Sequence, residues 1–206
     1  MSTQQQPPQR AKTPARPAGS QPPASAPPTR VAASDEARRT SPDAIAFLHQ
    51  WESCRLEAYP DPGSVDGNPW TIGWGTTRIN GQPVQRGMRI TQAQADEFFR
   101  EDLRTFEQEV TRLTRGVSLT QNQFDALVVL VYNIGAGAFA GSTIRRMILA
   151  GDFAGAQLQF HRWNRNDGRP MRGLSRRRFG EAIMFGPRNA AELRALLPSA
   201  VLLHLA

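Results

Sequence analysis

The chain has 206 residues, 39% of them hydrophobic and 8% aromatic, with a formal net charge of +7. That length accommodates one full domain with tails, and the apolar content supports a core. A single cysteine, Cys54, excludes an internal disulfide. No apolar run reaches the roughly 20 residues of a membrane-spanning helix, and the N-terminus lacks the apolar region of a signal peptide. The charge is uneven: residues 1–41 carry +4, residues 42–187 carry +2, and the remainder +1. A positive balance suits an anionic partner such as cell-wall polymer, lipopolysaccharide or nucleic acid.

Residues 1–42 hold nine of the sixteen prolines, with much Ala, Ser and Gln, and the first aromatic is Phe47. Such a composition cannot bury enough apolar surface to offset its ordering entropy, which predicts a disordered basic tail over residues 1–41. Order begins at Ser41-Pro42-Asp43, which reads as N-cap, N1 proline and first-turn acid. Ala44, Ile45, Leu48 and Trp51 follow at helical spacing and place one face on a core, with Glu52 near the helix end. Residues 57–85 are punctuated by proline and glycine around short apolar runs, and Asn80-Gly81 is a tight-hairpin signal. A small, twisted antiparallel sheet is expected there.

Helices then resume. Thr91 with Gln94 forms a capping box ahead of an amphipathic stretch through Phe99, Leu103, Phe106, Val110 and Leu113. Thr120 with Gln123 forms a second, opening Phe124 to Tyr132; this stretch is apolar nearly all round and predicts a central buried helix. Asn133 to Gly137 ends it. Shorter helices are expected near 143–150, 152–162 and 175–185, and Asn189 with Glu192 can cap one more in the extension 188–206. Seven arginines with one acid, Asp167, occupy residues 162–178, which read as a largely solvated basic face. The three histidines have no metal-ligand spacing, so neither a metal site nor a cofactor is expected.

Cleavage of a glycosidic bond needs a protonated acid at the leaving oxygen and a carboxylate that activates water or attacks the sugar. Glu52, at a helix end beside apolar groups, suits the acid. Asp61 lies nine residues on in a turn whose exposure favours ionisation, and Thr71 follows in Thr71-Ile72-Gly73-Trp74-Gly75. The run from Glu52 to Asp61, then Pro69 to Gly75, resembles the signature of phage-type lysozymes, the endolysins of glycoside hydrolase family 24. Tyr132 to Phe139, Ser142-Thr143, Trp163-Asn164 and Gly173-Leu174-Ser175-Arg176-Arg177-Arg178 before Glu181 continue the resemblance over about residues 42–187.

The resemblance implies an α+β, lysozyme-like two-lobed fold, with a small antiparallel β-lobe and a larger helical lobe around a central buried helix. It implies hydrolysis of the β-1,4 bond between N-acetylmuramic acid and N-acetylglucosamine in bacterial peptidoglycan, lysing the host. Glu52 would be the general acid, with Asp61 and Thr71 positioning water in an inverting reaction. Substrate contacts would come from Gly73, Trp74, Asn133, Gly135, Phe139 and Ser142, and Arg176 or Arg177 would support Glu52. It also implies a monomer that stays in the host cytoplasm until a holin or another route releases it to the wall, without stable membrane insertion or nucleic acid. One departure is a four-residue insertion between Asp61 and Thr71, which makes Asp66 a rival for the second carboxylate. Two other readings stay open here: a lytic transglycosylase, and a non-enzymatic wall- or nucleic-acid-binding protein.

Overall fold

The computed structural model describes residues 38–60 and 68–205. The elements run α1 (Pro42–His49), β1 (Arg55–Pro60), β2 (Trp70–Gly73), β3 (Arg78–Ile79), β4 (Gln82–Pro83), α2 (Gln92–Leu113) and α3 (Gln121–Ile134). After these come α4 (Ala136–Ala140), α5 (Thr143–Leu149), α6 (Phe153–Gln159), a 3-10 turn (Phe160–Trp163), β5 (Arg165–Asn166) and β6 (Arg169–Pro170). The chain finishes with α7 (Arg172–Phe185), α8 (Ala190–Leu196) and α9 (Ser199–Leu202).

Local chemistry explains most boundaries. Ser41 caps α1 by accepting from the Ala44 N–H, with Pro42 fixing the first turn. Thr91 and Thr120 each form a full capping box, with Gln94 and Gln123 returning the bond to the cap backbone. Asn189 and Glu192 do the same for α8. The central helix is α3: Phe124 to Val131 are all buried, so its apolar faces are all in use. Around it pack Leu48 of α1, Phe99 and Leu103 of α2, Ile144 and Ile148 of α5, Phe160, and Phe185 of α7. Burying each such side chain stabilises the fold by roughly 1.5–3 kcal/mol.

The β-region differs from the single sheet expected. It contains two separate ladders, β1 with β2 and β3 with β4, both antiparallel. A register shift between Arg55 and Tyr59 interrupts the first. Ala58, Ile72 and Val84 form a second small core beneath them, with Trp70, Ile79, Met88 and Ile90 packed against it. Asn80 and Gly81 both take positive φ, the type I′ geometry that joins β3 to β4.

Three further differences concern the segment limits. Residues 38–41 belong with the folded unit: Arg38 reaches Leu119 O, Thr40 is buried on Glu107, and the Ser41 N–H donates to Asp125. A third hairpin, β5–β6, appears inside the arginine-rich stretch, turned by Asp167 and Gly168, both at positive φ. The helix after it begins at Arg172, three residues ahead of the expected start. The tail up to residue 37 lies outside the described residues.

Candidate active site

Glu52 follows α1 by one tight turn, its backbone N–H still bonded to Leu48 O at 3.2 Å. Its side chain is 26% exposed, and Arg177 Nη1 donates to Oε1 at 2.9 Å. Arg177, on α7, is itself only 5% exposed, so a buried cation holds a partly open carboxylate. Of the two arginines singled out, Arg177 is the one that meets Glu52; Arg176, next to it, faces outward.

Behind this pair lies a network that the sequence reading did not anticipate. Arg177 Nε donates to Glu181 Oε1 at 3.2 Å, and Arg178 Nη2 donates to the same oxygen at 2.7 Å. Arg178 Nη2 also reaches Asn133 Oδ1 at the end of α3, at 3.0 Å. Arg178 and Glu181 are both fully buried. Burial pushes the Glu181 carboxyl up to about 7, against the opposing pull of the two guanidiniums, and pushes Arg178 down to about 10. The spacing of Glu181 at three and four residues from the arginines carried the signal for this contact.

A cleft of about 850 Å³ opens alongside. Its walls include Trp51 and Arg177, the neighbours of Glu52 in sequence and space, with Asn133, Trp163, Met171 and Leu174. The β5–β6 hairpin adds Arg165 and Asn166. Trp51 was expected as core packing, yet it lines this cleft. Tyr132 lies on the β-lobe side, its hydroxyl donating to Trp74 O at 3.0 Å. Its phenol is pushed far above the ordinary range, first by burial and then by the negative charge of Glu52. The hydroxyl therefore stays protonated beside the Glu52 carboxylate.

The remaining expected site residues separate into groups. Thr71 is buried in β2, directly across from Tyr59. Asp61 and its rival Asp66 lie outside the described residues. Trp74 stacks one face on His49, with ring centroids 3.8 Å apart, and its indole N–H donates to Asp96 at 2.8 Å. Gly73 is buried at positive φ, and a Cβ there would meet Ala95 Cβ at 3.2 Å, so helix packing demands the glycine. Gly135 caps α3 with φ at 83°. The last two sit deeper. Phe139 is fully buried among the helices, and Ser142 spends its hydroxyl as the N-cap of α5, accepting from Arg145 N.

Among the described residues, no group of three or more His, Cys, Asp or Glu is placed to hold a metal ion. No helix among them is long and apolar enough to cross a membrane.

A helical lobe wrapped on one buried helix, small antiparallel ladders, and a glutamate held by a buried arginine beside a cleft define the lysozyme-like α+β class. A family model described as phage lysozyme matches residues 49–181, and the chain belongs to that family. It is 38% identical over 144 residues to the endolysin of Salmonella phage P22, covering 69% of this chain and 95% of the relative. The solved structure of a P22 lysozyme point variant superposes with a TM-score of 0.63 at 37% identity, covering 72% of this chain and 98% of that one. The muramidase domain of SpmX from Asticaccaulis excentricus gives 0.63 at 31% identity, covering 73% and 100%.

Proposed function

We propose that this muramidase cleaves the glycan strands of peptidoglycan with Glu52 as general acid. Membership of the phage lysozyme family makes the chain a glycoside hydrolase of the endolysin type. The transglycosylase and non-enzymatic readings are accordingly not favoured. The observation that carries the assignment of the acid is the Arg177–Glu52 contact: a partly exposed carboxylate held in one orientation by a buried cation that itself lines the cleft. In our reading Glu52 protonates the oxygen leaving C1 of N-acetylmuramic acid, while Asp61 accepts a proton from a water aligned by Thr71. The reaction is then inverting, with the carboxyls roughly 6.5–9.5 Å apart. Exposed Asn133, together with Gly135 and the edge of Trp74, would contact the strand, and Arg177 would support the acid.

Residues 38–187 form the catalytic domain in this proposal, with the basic segment ahead of them and the extension 188–206 as accessories. The enzyme works as a monomer, waits in the host cytoplasm and reaches the wall through a holin or another release route. The endolysin names of its relatives support action on the cell wall.

Zymography on embedded peptidoglycan tests the acid. Glu52→Gln should abolish clearing while circular dichroism stays as in the parent; full clearing by that variant would overturn the assignment. Proton NMR of the first-formed product should show the inverted anomer at a reducing-end muramic acid, and a 1,6-anhydro product would overturn hydrolysis.

A further inference from the structure

A second cavity, of about 500 Å³, opens where the C-terminal extension meets the 3-10 turn and the β5–β6 hairpin. His161, Arg162 and Arg165 line it from the turn and hairpin, and Val201 and His204 line it from the extension. The extension wall lies past the family-matched residues 49–181, so this cavity is built partly from outside the shared domain. That wall is held in place: Leu202 and Leu205 pack against the helical core, and the His204 N–H donates to Val201 O at 3.0 Å. Among the described residues no carboxylate lines the cavity. Two guanidiniums and two imidazoles border one volume with no acid to neutralise them, and their field draws an anion.

The donors are only partly spent. Arg165 Nη1 donates to Gly168 O at 2.6 Å and Arg162 Nη1 to Gln159 Oε1 at 3.3 Å, whereas each guanidinium carries five N–H donors. His161 adds a second requirement. Its Nδ1 meets Leu158 O, and a carbonyl only accepts, so Nδ1 carries the ring proton. Burial keeps the ring from charging, with the Arg162 cation acting in the same direction and the Leu158 bond against it. Neutral His161 therefore offers Nε2 as an acceptor. A ligand that satisfies both sides brings anionic oxygens for the arginines and a hydroxyl for the imidazole.

We propose that this cavity binds a phosphoryl group that keeps one acidic proton, either inorganic phosphate or a phosphate monoester on a sugar. The anionic oxygens accept from Arg162 and Arg165, the P–OH donates to His161 Nε2, and His204 closes the site with a ring N–H. The last proton of such a phosphate leaves near pH 6, so it is present around neutrality. Sulfate has the charge and shape but not the proton. The cavity holds on the order of fifteen water volumes, so a bound phosphate leaves room for an attached sugar. The site stands apart from the assignment of Glu52, although Arg162 and Arg165 also line the catalytic cleft.

The test titrates the full chain with inorganic phosphate near pH 6.5, at constant ionic strength, and follows the imidazole signals by 1H–15N NMR. His49, stacked on Trp74, serves as the internal reference. His161 and His204 should shift saturably with a Kd on the order of 1 mM while His49 stays in place. Sulfate should bind about fivefold more weakly, the loss of one hydrogen bond. Arg162→Ala combined with Arg165→Ala, both exposed side chains, should weaken phosphate binding about tenfold or more. His204 lines this cavity and not the cleft, so His204→Ala should weaken phosphate binding about threefold with peptidoglycan hydrolysis as in the parent. Glucose 6-phosphate separates the sources: binding as tight as phosphate or tighter assigns a sugar-borne group, and weaker binding assigns the free ion. Shifts that fail to saturate, that move His49 equally or that sulfate reproduces at the same concentration describe general screening and overturn the proposal. Parent-like phosphate affinity in the arginine pair variant or in His204→Ala overturns it as well.

Discussion

Among the described residues two glutamates are buried, and they are treated in opposite ways. Glu107, on α2, has every oxygen engaged. Oε1 accepts from the Thr40 N–H at 2.7 Å and its hydroxyl at 2.8 Å, and Oε2 accepts from Arg39 at 3.0 Å. Glu181, on α7, receives both of its bonds on Oε1, while Oε2 has no partner among the described residues. Arg178 Nε and Nη1 are likewise unmatched there. The first arrangement is a clasp that ties the chain entering α1 onto the helical lobe. The second is incomplete, costly by the desolvation of its unmatched atoms, and adjoins the cleft. Most of the unmatched buried polar atoms among the described residues gather here, with the Trp51 indole N–H and, behind Trp74, His49 Nε2 as the others.

Breaking the two in turn should expose that contrast. The largest loss is expected from Arg178→Ala, which strands the Glu181 carboxylate with one partner and should cost about 3–5 kcal/mol in urea unfolding. Next comes pH. The folded Glu181 carboxyl lies near 7 against an ordinary 4.5, so the fold holds a proton that the unfolded chain has lost across that window. Stability from this group is complete below 4.5 and is lost as pH rises through 7, by on the order of 3 kcal/mol. Melting curves between these limits should fall more steeply in the parent than in Glu181→Gln; parallel curves would refute the raised carboxyl. Smaller still, Glu107→Ala should cost about 1–3 kcal/mol by leaving the Thr40 N–H unpaired, with the pH profile of activity unchanged. Arg39→Ala should cost less than about 1 kcal/mol, since Arg39 is 57% exposed.

What could be read from the sequence was whatever is settled locally. The capping boxes at Thr91, Thr120 and Asn189 each depend on residues three apart, and all three form. The buried run in α3 was equally plain, because an all-round apolar helix has one physical solution. Burial of charge was not legible. Hydrophobic periodicity carries no mark for a buried arginine, so Arg177 and Arg178 were indistinguishable from the outward-facing Arg176 beside them. The β5–β6 hairpin was missed for a related reason. Asp167-Gly168 is the same class of turn signal as Asn80-Gly81, but arginines, not alternating apolar residues, flank it. Trp74 could have served core or sugar equally from sequence. Its neighbours His49 and Asp96 come from other elements, and only their assembly occupies one face and the N–H.

The β5–β6 hairpin has a consequence for tailoring the enzyme. It closes on itself: the Met171 N–H bonds Asn164 O at its base, and Asn164 is pinned to Ser175 from within. The tip, residues 165–170, is exposed throughout and makes no part of either hydrophobic cluster. Lengthening a loop there costs only a few tenths of a kcal/mol per added residue at first, and less thereafter. The rim of the cleft is thus an interchangeable module. Its reach and charge can be rewritten for a different wall while Glu52, Arg177 and the helices that hold them stay as they are.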